Sequence, residues 1–295
     1  MLSVFIRVHL RLKIPVMKAF ALTTFALTAF AFNSILCRMA LGTEEIDAVS
    51  FTAVRFFSGA VTLAILLLAF GKTRNPLRTG HWLSAFFLFA YAICFSLAYL
   101  GLTTATGALI LFGCVQMTMI AVAIFNGERP SLLEWIGLIV AVGGLLYLVF
   151  PGLSSPPLFS SLLMAAAGIS WGFYTLRGKG SSDPLGDTAG NFVRTLPFIV
   201  IVALPFLSRT HLSIRGIVLA ILSGAIASGI GYTVWYAALK YHTSTRAAVL
   251  QLAVPVIAAA GGVVLLGEVA SIRLVIAALL ILGGILLTIF GRKSL

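Results

Sequence analysis

Read for its alternation of apolar and polar positions, the chain divides into ten long apolar runs joined by short polar connections: 18–38, 48–70, 82–101, 104–126, 132–150, 158–177, 189–207, 214–239, 244–266 and 272–290. Each run comes close to the ~20 residues that a helix needs to cross the hydrocarbon of a bilayer. The runs are continuously apolar, whereas the strands of a membrane barrel alternate over about ten positions, so helices are favoured. The pattern predicts an all-α membrane protein with ten transmembrane helices.

The pattern also occurs twice. At an offset of 140, Gly127-Glu128-Arg129-Pro130-Ser131 answers Gly267-Glu268-Val269-Ala270-Ser271, and Gly143-Gly144 answers Gly283-Gly284. Upstream the offset becomes 139, pairing Arg38 with Arg177 and Arg55 with Arg194, so the slip falls between positions 55 and 98, an interval that contains a loop. Five spans per copy is an odd number, so the second copy enters the bilayer from the opposite face and the two five-helix repeats are inverted. The expected division is a basic N-terminal extension over 1–17, a first repeat over 18–150, a linker over 151–157 and a second repeat over 158–291. The linker, Pro151-Gly152-Leu153-Ser154-Ser155-Pro156-Pro157, is short and helix-breaking. In the extension Phe5, Val8 and Leu12 share one helical face, and no small-residue cleavage site follows before the first span, so it reads as an amphipathic segment rather than a signal peptide. Translation from Met1 or from Met17 fits equally.

Composition agrees. With 60% hydrophobic and 9% charged residues and a mean hydropathy of +1.11, the chain has too much apolar surface for one water-facing globule. The net charge of +12 points to orientation rather than to nucleic acid, because the basic residues are spread over loops instead of forming one face. With the N-terminus in the cytoplasm, only Arg38, Arg209, Arg215 and Arg273 fall outside, Arg55 and Arg194 lie within spans, and all other Lys and Arg are inside. That bias places both termini in the cytoplasm of a multi-pass protein of the plasma membrane, the inner membrane in a bacterium. Cys37, Cys94 and Cys114 fall in spans, lack metal-ligand spacing and read as free thiols.

Inverted repeats are an arrangement that many secondary transporters use for alternating access, with the substrate near the midplane between the repeats. The five-plus-five spans, the Gly-Glu ending the fourth and ninth spans, the Gly-Gly of the fifth and tenth, and Ala253-Val254-Pro255-Val256-Ile257 together resemble the drug/metabolite transporter superfamily in its EamA-type branch. The resemblance covers roughly residues 18–291. It implies that four spans of each repeat surround a central cavity, that the fifth and tenth are peripheral, and that the cargo is a small metabolite such as an amino acid, a nucleotide-like compound or an amine. One departure stands in the fourth span, where the family's proline is replaced near Val115, so that helix is expected to be straighter than its partner.

The candidate substrate contacts are the polar and amphipathic groups at depth: Asn33 and Ser34 in the first span, Tyr91 and Tyr99 in the third, Gln116 in the fourth, Trp171 and Tyr174 in the sixth, Tyr232 and Trp235 in the eighth and Gln251 in the ninth. Ser228, Tyr232 and Trp235 share one helical face, as do Tyr91, Phe95 and Tyr99. Such stripes serve packing as readily as binding. If they turn inward they line a cavity suited to a small amphipathic solute, and their rings also attract ammonium groups. Pro255 lacks an amide proton and is expected to free the carbonyl of Gln251 in mid-span, with Gly261 and Gly262 adding a hinge. Arg55 and Arg194 are expected to snorkel from near the span starts as anchors, or else to capture a substrate carboxylate; Pro197 offers Arg194 the freed Val193 carbonyl. Glu128 and Glu268 are expected at span ends, solvated or paired with Arg129 and nearby bases.

No Asp, Glu or His lies deep in a span, which favours uniport or exchange over proton coupling. No nucleophile with a base, paired aspartates or His-His metal spacing marks an intramembrane enzyme, and no cofactor is expected. A channel-like facilitator would favour a continuous polar stripe instead of scattered neutral groups. The reading is therefore a secondary transporter exporting amino acids or related amphipathic solutes, with a facilitator or a drug/amine exporter as the alternative. Its partners are the small-molecule substrate and the bilayer; whether it forms a homo-oligomer is open.

Overall fold

The computed structural model describes residues 2–71, 75–126, 131–150, 155–205, 210–242, 247 and 250–291. Ten helices account for nearly all of them: α1 Leu2–Gly42, α2 Ala48–Phe70, α3 Trp82–Ala98, α4 Thr104–Phe125, α5 Leu132–Val149, α6 Leu158–Gly178, α7 Pro184–Ala203, α8 Ile214–Leu239, α9 Ala253–Leu266 and α10 Ile272–Phe290. A short 3₁₀ turn, Pro76–Arg78, precedes α3. The all-α, ten-helix expectation holds. Five helices are long and apolar enough to cross a membrane (α1 from Met17, α2, most of α4, α6 and α8), and α3, α9 and stretches of α5 and α10 are shorter apolar helices.

Polar residues set several of the starts. Asp47 accepts from the amides of Val49 and Ser50 at 3.1 and 2.9 Å, Asp183 from Gly186 at 3.1 Å, and Ser213 from Gly216 at 2.9 Å, each satisfying a donor that a helix N-terminus leaves unpaired. Asp183 and Pro184 start α7 five residues before the apolar run at 189, because the polar first turns of that helix are satisfied by a neighbouring loop. α4 runs unbroken past Val115. The expected span 244–266 is interrupted once among its described residues: Ala247, Leu250 and Gln251 are helical, Leu252 is a turn residue, and the helix resumes at Ala253 as α9. Pro255 has no amide proton to give to the Gln251 carbonyl one turn back, and the interruption at Leu252 falls between the two.

The helix contacts repeat under exchange of the halves. α3 packs on α6 as α8 packs on α1; α4 on α6 as α9 on α1; α3 on α7 as α8 on α2; and α2–α7, α4–α9 and α5–α10 are self-related pairs. That is the contact map of two equivalent five-helix units around a pseudo-two-fold axis. α5 and α10 pack chiefly on each other at the periphery. Their small residues allow it: a Cβ on Gly144 would lie 2.6 Å from that of Leu280, and one on Gly284 would lie 2.5 Å from the Gly137 carbonyl oxygen. Large apolar side chains such as Phe57, Ile65, Val264 and Leu279 point outward, while the interior holds both the aromatic residues and the buried polar ones, the reverse of a water-soluble globule.

Candidate functional site

Aromatic side chains from four helices meet at the centre of the bundle. Trp171 of α6 lies 4.6 Å from Tyr232 of α8, 4.9 Å from Tyr91 of α3 and 5.3 Å from Phe30 of α1, between ring centroids. Phe30 also contacts Tyr232 and Trp235 edge-on at 5.7 and 5.6 Å. Pairs at these separations are each worth about 0.5–1.5 kcal/mol beyond the area they bury. They enclose a void of about 10 Å³, bounded by Phe30 and Ser34 of α1, Tyr91 and Phe95 of α3, Leu111 and Phe112 of α4, Trp171 and Tyr232. That is room for about one water. Both repeats contribute walls.

The sequence candidates fall into two groups. Ser34, Tyr91, Trp171 and Tyr232 border the void directly. Behind them, Asn33 donates from Nδ2 to the Tyr91 hydroxyl at 3.1 Å and accepts from Ser223 Oγ at 2.5 Å, and Gln251 Oε1 accepts from Trp171 Nε1 at 3.2 Å. Tyr99 continues the α3 stripe through Phe95, 4.8 Å away, but its hydroxyl turns to the Thr104 carbonyl at 3.4 Å. Tyr174 stacks on Tyr236 at 5.3 Å, whose hydroxyl donates to the Tyr174 carbonyl at 3.0 Å; Gln116 and Trp235 are fully buried without bordering the void. Phe30, Leu111 and Phe112 were not among the candidates. Phe30 was findable, because it stands one turn before Asn33 and Ser34 on the same face of α1.

The two repeat-related arginines part company here. Arg55 does not snorkel: it is 1% exposed, with Nε donating to Ser228 Oγ at 2.9 Å and Nη2 to the Tyr232 and Tyr91 hydroxyls at 2.6 and 3.4 Å. Its guanidinium carbon is 5.4 Å from the ring centroids of both Tyr91 and Phe95. It faces inward because α2 packs that side on α8, where the helix widens into a π segment over Ser223–Ile230, an irregularity frequent at functional positions. Arg194 is instead spent on backbone. Nη1 donates to the carbonyls of Thr79, Pro76 and Gly190, and Nη2 to that of Leu77 at 2.7 Å. Its acceptors belong chiefly to the loop before α3, and the Val193 carbonyl is not among them.

Gly261 and Gly262, the glycines expected to form a hinge, have a steric reason to be small. A Cβ on Gly261 would run into Ile35 of α1, and one on Gly262 would lie 2.5 Å from the Glu268 carboxylate. Both positions admit close approach of α9 to its neighbours. Glu268 is half of a clasp: its two oxygens accept from the Thr104 amide at 2.9 and 2.8 Å at the N-terminus of α4, and one lies 3.4 Å from Arg38 Nε. Glu128, its counterpart, lies outside the described residues.

Both ends of the bundle are fastened between repeats. At the Gly42 end, besides Glu268, Glu45 accepts from Ser213 Oγ at 2.5 Å and lies 3.4 Å from Arg215 Nη1, while the Asp47 amide donates to the His211 carbonyl and the Asp47 carboxylate accepts from the His211 amide, both at 3.1 Å. Burial alone would raise the Asp47 carboxyl, but bonds from Ser50, His211 and Val49 outweigh it and hold its pKa below the usual carboxylate range. At the Met17 end, Thr79 Oγ1 donates to the Gly186 carbonyl at 2.6 Å, the Gly80 amide to Asp187 at 3.1 Å and the His81 amide to Asn191 at 2.9 Å, with Thr23 bonded to His242 at 2.8 Å. Gly80 has φ +71, a left-handed turn that glycine adopts without strain.

Glu268→Gln is expected to loosen the Gly42 end, because an amide loses the charge attraction to Arg38 and to the N-terminus of α4. At about 1–2 kcal/mol this shifts the opening equilibrium by roughly 5- to 30-fold. Thiol-reagent labelling of Ser34→Cys in a cysteine-free background should accelerate accordingly; an unchanged rate would show that this contact does not hold the end shut.

A core of aromatic rings and sparse polar groups, built jointly by two equivalent helical units and fastened at both ends, defines a membrane transporter fold. The model of the EamA-like transporter family matches residues 17–150 and again 158–290, and the chain belongs to that family. An uncharacterized protein of Pseudomonas aeruginosa is 49% identical over 260 residues, covering 88% of this chain and 90% of the relative. A "probable amino-acid metabolite efflux pump" of Salmonella typhimurium is 26% identical over 269 residues, 86% of this chain and 89% of that one; the uncharacterized transporter YoaV of Bacillus subtilis is 23% identical over 85% and 90%. A solved crystal structure shares the fold, with a TM-score of 0.65 at 20% identity over 90% of this chain and 95% of its own.

Proposed function

We propose that this protein is a secondary transporter that exports small amphipathic metabolites, amino acids or close relatives of them, by alternating access through the central aromatic site. The observation that carries the reading is the placement of that site: walls from both repeats, with inter-repeat contacts closing the bundle at each end. Breaking the Glu268, Glu45 and Asp47 contacts opens one mouth; breaking those of Thr79, Gly80, His81 and Thr23 opens the other. In this reading the repeats span about 18–150 and 158–291 after the basic extension, both termini are cytoplasmic in a plasma membrane, the Gly42 end faces outward, and Asn33, Tyr99, Gln116, Tyr174, Trp235 and Gln251 support the wall. The name of the Salmonella relative adds weight to an amino-acid class of cargo.

A facilitator pore is the weaker reading, since the void is lined by six aromatic residues, Leu111 and a single serine, with no continuous polar track. Purified protein in liposomes is expected to take up labelled phenylalanine with saturation, and faster when unlabelled phenylalanine is trapped inside. Linear flux without acceleration would favour the pore.

A further inference from the structure

The polar groups beside the void are out of balance. Arg55 brings a full positive charge about 10 Å along α2 from its start, and neither ion pair among the described residues includes it. Its Nη1 has no hydrogen-bond partner among the described residues. Asn33 Nδ2 donates to the Tyr91 hydroxyl and Arg55 Nη2 to those of both Tyr91 and Tyr232, whose oxygens lie 3.2 Å from one another. Tyr232 can give its proton to Tyr91, whose own proton then has no hydrogen-bond acceptor among the described residues, and Trp235 Nε1 has no partner among them either. The cluster holds more N–H and O–H donors than acceptors, around an uncompensated cation in a low-dielectric setting. Such an arrangement is costly unless an acceptor-rich anion completes it.

From this we infer that the transported molecule is recognised by a carboxylate, seated between the hydroxyls of Tyr91 and Tyr232 and against the guanidinium of Arg55, with its apolar body among Phe30, Phe95 and Trp171. The inference rests on the transporter reading and narrows it. Zwitterionic amino acids and simple aromatic or aliphatic organic acids fit. Lone amines do not, because no acidic residue lines the void among the described residues and the charge beside it repels them, which weighs against the drug/amine alternative. A carboxylate there would accept from both phenols and from the idle Nη1, replacing the tyrosine pair contact; since the void has room for only about one water, seating it spreads Tyr91 from Tyr232 and so draws α3 and α8, one helix from each repeat, apart. Binding and the opening motion are thereby joined at one contact. Arg194 plays no part in the seat, since its donors are taken by backbone carbonyls.

The test uses three probes with one ring and differing charge: 3-phenylpropionate, phenylalanine and phenethylamine. Binding to the detergent-solubilised full chain is followed by thermal shift and by tryptophan fluorescence, which Trp171 reports from the wall. Both carboxylates are expected to bind, with phenethylamine weaker by 10-fold or more. Arg55→Gln should weaken the carboxylates by about 10- to 100-fold without weakening the amine, and Arg55→Lys should retain part of the preference. If Arg55→Gln is not monodisperse, Tyr91→Phe with Tyr232→Phe, which keeps both rings, should produce the same loss. Phenethylamine binding as tightly as 3-phenylpropionate, no binding of either carboxylate at millimolar concentration, or carboxylate affinity unchanged in these variants would overturn the inference. Saturable, trans-accelerated exchange of phenethylamine alone would do so while leaving the transporter reading intact.

Discussion

Trp171→Ala is expected to abolish measurable exchange and to lower stability by about 3–5 kcal/mol, the usual range for emptying a buried large aromatic site. Trp171 is the hub of the central cluster, within 5.4 Å of Phe30, Tyr91, Tyr174 and Tyr232, and it holds Gln251 by its indole N–H. Truncation removes a wall of the void and leaves the Gln251 oxygen without its donor in the interior. Trp171→Phe separates the two effects. It restores most of the ring packing but not the hydrogen bond, so unfolding should return most of the way to wild type while exchange remains reduced about 10-fold. The measurements are thermal denaturation of the purified protein and counterflow in liposomes, normalised to reconstituted protein. Wild-type exchange in the alanine variant would remove this cluster from the transport path.

The second large effect is expected at Arg194, and on stability rather than recognition. Its two terminal nitrogens reach four backbone carbonyls that tie the loop before α3 to α7. Arg194→Ala should destabilise by about 3 kcal/mol or more, since hydrogen bonds to a charged group are worth about 1.5–3 kcal/mol each and the carbonyls are left partly unsatisfied. Arg194→Lys should recover little, because a point-like ammonium cannot reproduce a planar fork. The folded fraction is expected to keep the wild-type KM for phenylalanine exchange. A large rise in KM without loss of stability would instead place Arg194 at the substrate.

These two arginines show where sequence reading stops. They are equivalent in the repeat and both lie inside apolar runs, and the local difference, Pro197 beside Arg194, points to an acceptor that Arg194 does not use. One ended in the central site and the other against a loop, because the halves have diverged in what packs around each: Ser228, Tyr91 and Tyr232 surround Arg55, whereas the turn at Pro76–Arg78 and Gly80 reaches Arg194. The aromatic stripes of α3 and α8 were legible because helical periodicity alone puts Tyr91 with Phe95 and Ser228 with Tyr232. Their convergence was not, since it depends on contacts between residues more than a hundred positions apart. Glu268 is similar: a span-end carboxylate in sequence, it becomes a clasp only when α4 brings its N-terminus within 3 Å. The apolar run over 244–266 likewise conceals the turn at Leu252, which lies between Gln251 and Pro255.

The sequence by itself determined the ten helices and their duplication, because crossing a bilayer demands long apolar runs and an odd-numbered unit repeated in one chain has to invert. Which buried polar groups face one another, which charge is left without a counter-ion and which loops lock the two ends were decided only in the folded bundle. Those properties belong to pairs of helices from different halves, and hydropathy, which measures each residue against lipid, carries no information about the partner it will meet.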